Sequence, residues 1–414
     1  MKILLATFWA VPHVGGVWNY MMQLKDQYEQ QGHQVDLMGF NEGNTIVHIW
    51  NKQRQIEKNA IQDEVQTAFA IREKQSSAIQ QDQYVRYYEL QRCIYEIAAR
   101  KLDITHYDLI HTQDVISSAC INRIRPDTIP QVSSIHGSAA QELKDAVTRV
   151  FKSPTAEIAC RYFDEMEKEG AMAAEYTIVA NHWLKRIFMK EYQIPKNKLR
   201  VLHYGYDIET FIQKMSEKTE IERPADKKLI LFTGRIIEKK GVYDLVEALR
   251  ILKKEYDGWV CWIVGEGPDR NDLQEKVKQY GLQENVYFFG NRRDIPYLLS
   301  LADIFVLPSQ LDNQPLSVIE AQLAGKAIIT SNAGGLPEMV QDGKTGLITR
   351  MGNSQHLFEQ MKRLLEDPLL REHLGKNVRE WALKHWKINK AIKKVFHIYQ
   401  EAIKKKERAI KKDN

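Results

Sequence analysis

A chain of 414 residues is long enough for two domains with separate cores, and 43% apolar against 27% charged residues is ordinary for a soluble globular protein. No run of about 18 apolar residues occurs, so no membrane span is expected. The net charge of +5 is concentrated at the end, where Lys390–Asn414 carries nine basic and three acidic residues, so the rest is near neutral and nucleic-acid binding is not expected.

The opening "MKILLATFWAVP" resembles the start of a signal peptide but lacks a small-residue cleavage site. It runs on through "HVGG" into a helix pattern, as a first strand does. Further strands read "HQVDLMGF", "YDLIHTQ", "PQVSSIH", "YTIVAN" and "RVLHYG", each separated from the next by a helix-period segment. Asn51–Arg100 is out of pattern: it is polar, rich in Gln and Lys, and carries Tyr84, Tyr87, Tyr88 and Tyr95. It reads as a helical insertion, a solvated pair on the domain surface, with acceptor recognition or partner docking as the functional alternative.

After the polar stretch Gln213–Lys228 the alternation resumes with "KLILFTG", "WVCWIVGEG", "VYFFG", "DIFVLPS", "AIITSNAGG" and "GLITR". Nearly continuous apolar strands separated by helices imply parallel sheets covered on both faces. The expectation is an α/β protein of two doubly wound, Rossmann-like domains, residues 1–205 and 206–387, facing across a cleft, followed by a basic helix or tail at 388–414. The tail would touch an anionic membrane or lie as a solvated helix end, the second being preferred. The four cysteines (Cys93, Cys120, Cys160, Cys261) form no CxxC pair and have no histidine cluster at ligand spacing. Neither a disulfide framework nor a metal is expected, and a reducing cytoplasm fits.

Ligands of such sheets bind beyond the carboxyl ends of the strands, so the strand-to-helix loops carry the chemistry. In "FTGRIIEKKG", Gly234 permits a tight turn, Arg235 offers a fork matched to two phosphate oxygens, and Lys240 adds a compact second charge. "VGEGP" repeats the glycine turn with Glu266 and Gly267. In "PSQLDNQPLSVIEAQLAG", Asp312 in the loop and Glu320 on the following helix are carboxylates able to accept bonds from sugar and ribose hydroxyls. The alternatives are a helix-capping Asp312 and a solvated Glu320. In "SNAGGLPEMV", Gly334 and Gly335 would present backbone N–H groups ahead of a helix as an anion-binding nest, with Pro337 suited to its first turn. Each signal is weak alone; four on consecutive strand ends form an ordered set.

That set resembles the nucleotide-sugar half of the family-4 retaining glycosyltransferases of GT-B fold. In the first half, "PHVGGVWNYM" resembles the family's glycine loop, and "EYTIVANHWLKRIFMKEYQIPKNKLRVLHYGYDIETF" its segment leading into the second domain. The resemblance implies that Arg235 and Lys240 hold a diphosphate and Glu320 the ribose. Asp312 would meet the transferred sugar, helped by backbone at Asn313, Pro315 and Leu316 or at Gly334 and Gly335. His136, in "SSIHGS", matches a histidine facing the sugar, its alternative being a hydrogen-bonded core or loop histidine; Gly15 and Gly16 allow close approach of donor or acceptor. Asp312 stands where glutamate is common, and Asn181 and Tyr204 replace a common serine and asparagine.

The implied reaction moves a sugar from a nucleoside-diphosphate donor, UDP- or GDP-linked, to an acceptor hydroxyl with retention. It would need no metal and no cofactor, since basic groups supply the charge and no convincing DxD motif is present. The two halves would close to exclude water, with Gln213–Lys228 as hinge and the last helix crossing back to the first domain. The alternatives are an epimerase or hydrolase of nucleotide sugars on the same fold, or a non-catalytic nucleotide-sugar-binding scaffold. The acceptor stays open among small molecules, glycans, lipid-linked sugars and proteins, and the location is cytoplasmic, with peripheral contact at the inner membrane face as an option.

Overall fold

The structure, a computed structural model, describes residues 1–13 and 15–413. Val14 of the predicted glycine loop and Asn414 of the basic tail lie outside the described residues. The chain divides into two compact units: unit 1 is Met1–Leu202 with Ile392–Asn414, and unit 2 is His203–Ala391.

Unit 1 is built on eight strands: β1 (Lys2–Ala10), β2 (Gln34–Phe40), β3 (Ile46–Ile49), β4 (Arg54–Glu57), β5 (Leu109–Thr112), β6 (Gln131–Ile135), β7 (Tyr176–Val179) and β8 (Leu199–Val201). Their order is β4-β3-β2-β1-β5-β6-β7-β8. The six from β2 to β8 are mutually parallel, and β3 and β4 form an antiparallel edge. The parallel strands are buried along most of their length, as sheets covered on both faces must be. The four-residue β3 and β4 went unread in the sequence, because "IVHI" and "RQIE" are too short and too polar for a period of two to distinguish them from loop.

The stretch 51–100 departs from expectation. It opens with β4, and its main helix, Gln83–Lys101, has eleven buried residues of nineteen. The helix starts cleanly because Asp82 accepts bonds from the Tyr84 and Val85 N–H groups at 2.8 and 2.9 Å. It is a core element, not a solvated surface pair. Composition misled here because its charges turn inward: Arg92, 1% exposed, donates to Glu89 at 2.5 Å and to Glu169 at 2.7 Å.

Unit 2 carries β9 (Lys228–Thr233), β10 (Trp259–Val264), β11 (Val286–Gly290), β12 (Ile304–Leu307), β13 (Ala327–Ser331) and β14 (Leu347–Thr349). All six are parallel, in the order β11-β10-β9-β12-β13-β14. The chain winds outward from β9 to β11, then returns to the other side of β9 to lay down β12. Loops leaving β9 and β12 therefore diverge, and the gap between them is the topological switch point where doubly wound sheets take ligands. The polar stretch 213–228 lies inside unit 2 and does not join the units. The helix before it, Ile208–Met215, sends Phe211 into the unit 2 core.

The last helix, Ile388–Asp413, belongs to unit 1 from Ile392 onward. Tyr399 bonds His111 of β5 at 2.7 Å, which seats that helix in unit 1. Among the described residues no helix is long and apolar enough to cross a membrane.

Candidate active site

The two loops at the switch point of unit 2 touch through a glycine. Gly241 ends the short turn Glu238–Lys240 at φ 71°, and a Cβ there would stand 2.0 Å from the Pro308 carbonyl oxygen, just past β12. Only glycine allows both the left-handed backbone and that approach. The close approach brings the Lys240 Nζ to 2.7 Å from the Asp312 carboxylate, with both side chains mostly buried. The Ser309 hydroxyl donates to the same carboxylate oxygen at 2.8 Å.

Asp312 is held from behind as well. A Cβ at Gly334, whose φ is 59°, would stand 1.9 Å from the Asp312 carbonyl oxygen, and that oxygen accepts the Gly335 N–H at 2.9 Å. This corrects one expectation: the Gly335 N–H is already bonded within the chain and does not point outward as part of an anion nest. The helix that follows, Leu336–Met339, is a single turn, with Pro337 in its first positions. The glycine pair thus buttresses the Asp312 loop. Asp312 is also not a helix cap, since helix Leu316–Leu323 starts from Pro315 without a side-chain cap. Asn313 and Leu316 flank that start, and between them the buried Gln314 accepts the Tyr204 N–H at 3.2 Å.

At the same carboxyl ends of the strands lies a depression of about 250 Å³ lined by Gly234, Arg235, Glu266 and Glu320. Arg235 is exposed. The Ile236 N–H donates to the Glu266 carbonyl at 2.8 Å, tying the first glycine turn to the turn of Glu266 and Gly267. The Glu266 side chain is paired with Arg270 on the next helix. Glu320 accepts a hydrogen bond from the Tyr206 hydroxyl at 2.7 Å. Burial raises the Glu320 carboxyl above the usual carboxylate range, and the Tyr206 bond partly offsets this. Burial and the adjacent carboxylate also raise the Tyr206 phenol, which stays a donor at neutral pH.

The remaining predicted residues belong to unit 1. Gly15 and Gly16 open the helix Gly16–Gln30, Gly15 as its cap residue. His136 follows β6, its Nε2 donating to the Gln113 side-chain oxygen at 3.1 Å and its ring edge-on to Tyr20 at 5.2 Å. Burial pushes its imidazole down to about 3, so it is neutral at pH 7. Four residues on, the Ala140 N–H donates to the buried Glu167 at 2.8 Å. Burial pushes that carboxyl up to about 8.

Several of these residues escaped the sequence reading. Asn291, Arg292 and Ser317 line the depression. The basic pair in "GNRRDIP", at the end of β11, carried the same signal as "GR" after β9 and could have been used. Tyr206, Gln113 and Glu167 gave no signal, since each acts on a residue brought near only by folding.

Comparison with known proteins covers both units. The model of glycosyltransferase family 4 matches residues 14–210, and that of glycosyl transferases group 1 matches residues 213–381. An alpha-D-kanosaminyltransferase of Streptomyces kanamyceticus is 24% identical over 282 residues, 66% of this chain and 71% of its own. A sucrose-phosphate synthase structure from Thermosynechococcus elongatus superposes with a TM-score of 0.73 at 20% identity, covering 97% of this chain and 98% of that one. An Anabaena structure described in complex with UDP-glucose has a TM-score of 0.66 at 19% identity, covering 97% and 100%. Two consecutive family matches over two parallel-sheet units make the chain a family-4 glycosyltransferase of GT-B fold.

Proposed function

We propose that this glycosyltransferase takes its sugar from a nucleoside diphosphate, UDP or GDP, and passes it to an acceptor hydroxyl with retention and without a metal ion. The observation that carries this reading is the grouping at the carboxyl ends of the unit 2 strands: a preset Lys240–Asp312 pair at 2.7 Å, and a depression lined by Arg235 and Glu320. Arg235 and Lys240 would bind the diphosphate, and Glu320, oriented by Tyr206, the ribose hydroxyls. Asp312 would accept from hydroxyls of the transferred sugar. The Anabaena protein of the same fold, described with UDP-glucose, agrees with this reading.

In the reaction the bond from the anomeric carbon to the diphosphate oxygen breaks and a bond to the acceptor oxygen forms. The leaving diphosphate gains negative charge, which Arg235 and Lys240 stabilise in place; this is the role a divalent cation would otherwise take. Asp312 keeps Lys240 oriented before the donor arrives, so little reorganisation is left for the reaction itself. On a front-face path the acceptor proton passes to the departing phosphate oxygen, and no carboxylate nucleophile is required. His136, neutral at pH 7, suits orienting a sugar hydroxyl better than carrying charge.

The test is thermal shift and nucleotide release with UDP-, GDP-, ADP- and TDP-sugars in EDTA, repeated on Arg235→Ala and Lys240→Ala. Stabilisation by one nucleotide that both substitutions abolish supports the reading. A folded protein that responds to none of them overturns it, and so does a response that appears only when a divalent cation is restored.

A further inference from the structure

Two rungs of side-chain hydrogen bonds join β5 to β6 on one face of the unit 1 sheet. His111 and Gln113 are alternate residues at and just past the end of β5, as Ser134 and His136 are for β6, and alternate residues of a strand point the same way. The parallel register pairs His111 with Val132 and Thr112 with Ser133, which sets the two pairs side by side. The inner rung joins the His111 Nε2 to the Ser134 hydroxyl at 2.8 Å, and the outer one the His136 Nε2 to the Gln113 Oε1 at 3.1 Å. Tyr399 closes the inner rung from the last helix, at 2.7 Å from the His111 Nδ1. Tyr20 spans both rungs, its hydroxyl bonded to Ser134 and its ring edge-on to His136.

The outer rung can be made in only one way. Gln113 is 1% exposed, and its amide nitrogen donates to the His111 carbonyl at 3.4 Å. A carbonyl only accepts, so the amide cannot turn over without losing that bond, and its oxygen is what His136 meets. An oxygen facing Nε2 requires a proton on Nε2. Burial keeps the ring neutral at pH 7, so one nitrogen carries a proton and the other a lone pair. Nδ1 is therefore the acceptor. A ring fixed that way takes a hydroxyl that donates to it, and disfavours a carbonyl or phosphate oxygen, which can only accept.

We infer that Gln113 is a positioning residue that locks His136 in the Nε2–H tautomer, so that its Nδ1 accepts from a hydroxyl, which on the donor reading above belongs to the transferred sugar. The identity of that hydroxyl rests on the donor reading; the tautomer does not. The inner rung braces the arrangement, because Ser134 holds Tyr20 and Tyr20 packs against the imidazole.

The experiment is long-range proton–nitrogen correlation NMR on the full chain carrying nitrogen-labelled histidine, at neutral pH and without nucleotide. Among the 12 histidines, His136 is identified by the signal lost in His136→Gln. A protonated Nε2 and an unprotonated Nδ1 are expected in the unsubstituted chain. Gln113→Met keeps the length of the side chain and removes its oxygen, and should give a mixture of tautomers. In initial rates it should lower kcat roughly tenfold or more, as one misdirected hydrogen bond does, while the donor KM changes far less. Its nucleotide-induced thermal shift should persist, since Gln113 belongs to unit 1 and the depression to unit 2. A proton on Nδ1 in the unsubstituted chain overturns the inference, and that measurement stands whether or not the variant folds. So does a Gln113→Met chain that loses kcat with no change of tautomer, which would make the residue a packing element. The expected tautomer in a protein that responds to no nucleotide supports the lock and overturns the donor reading instead.

Discussion

Tyr206 reaches across 114 residues of sequence to donate its hydroxyl to Glu320 at 2.7 Å. Its own backbone is pinned, the Tyr206 N–H bonding the Trp386 carbonyl at 2.7 Å. The bond therefore runs from a fixed donor to a carboxylate whose charge burial disfavours. Tyr206→Phe removes one hydrogen bond to a charged group, worth about 1.5–3 kcal/mol. The expected result is a donor KM raised roughly tenfold or more with kcat changed far less, read from initial rates.

Lys240 and Asp312 should separate in kinetics. If Lys240 faces the leaving diphosphate as proposed, Lys240→Ala removes that charge and kcat should fall roughly 10²–10³-fold. Lys240→Arg should not restore it, because the planar guanidinium cannot occupy the position of an ammonium held between two loops. Asp312→Asn keeps an acceptor for Ser309 and should cost less than Asp312→Ala. Equal losses for the Asn and Ala variants would contradict this.

Gly334→Ala forces a Cβ against the Asp312 carbonyl from a left-handed backbone. A stability loss of about 1–3 kcal/mol is expected from urea unfolding. Activity measured well below the unfolding midpoint should fall too, because the loop that must yield carries Asp312.

Acid and alkali should act on unit 1 in opposite directions. Burial pushes His111 and His136 down to about 3, from 6.5. Between those values the unfolded chain binds more protons than the folded one. Their contribution is complete above pH 6.5 and is lost as pH falls toward 3. Glu167 is pushed up from 4.5 to about 8, so the folded chain holds a proton that the unfolded chain has released. Its contribution is complete below pH 4.5 and is lost as pH rises toward 8. Urea midpoints across pH 4–9, an interval set by those shifts, should show His136→Gln flattening the acid limb and Glu167→Gln the alkaline one.

The inward-facing charges of helix Gln83–Lys101 give a stability test. Arg92 is bonded to Glu89, Glu169 and the Tyr162 hydroxyl. Arg92→Met leaves those acceptors partly unpaired, and a loss of about 3–5 kcal/mol is expected. Adding Glu89→Leu should recover part of it, because two buried charges are then removed together. No recovery in the double variant would show that packing, and not charge pairing, sets the cost.

Periodicity and loop composition settled much of this protein in advance. Runs such as "KLILFTG" and "DIFVLPS" are apolar on both faces, which only a covered parallel sheet accommodates. Glycine and charge at their ends marked Gly234, Arg235, Lys240, Asp312 and Glu320, because those features are local in the chain. Folding alone decided the rest. The carboxylate of Glu320 gains its donor, and the N–H of Gly335 its acceptor, from segments distant in sequence. Burial of Arg92 depends on carboxylates from two helices, so a count of charges could only suggest a solvated face. Seating of the last helix uses partners far away in the chain, among them His111, 288 residues from Tyr399, and Glu175, paired with Lys406. A residue's pattern in the chain reports which element it joins; what that residue touches, and hence its charge state and its work, is set by which elements pack together.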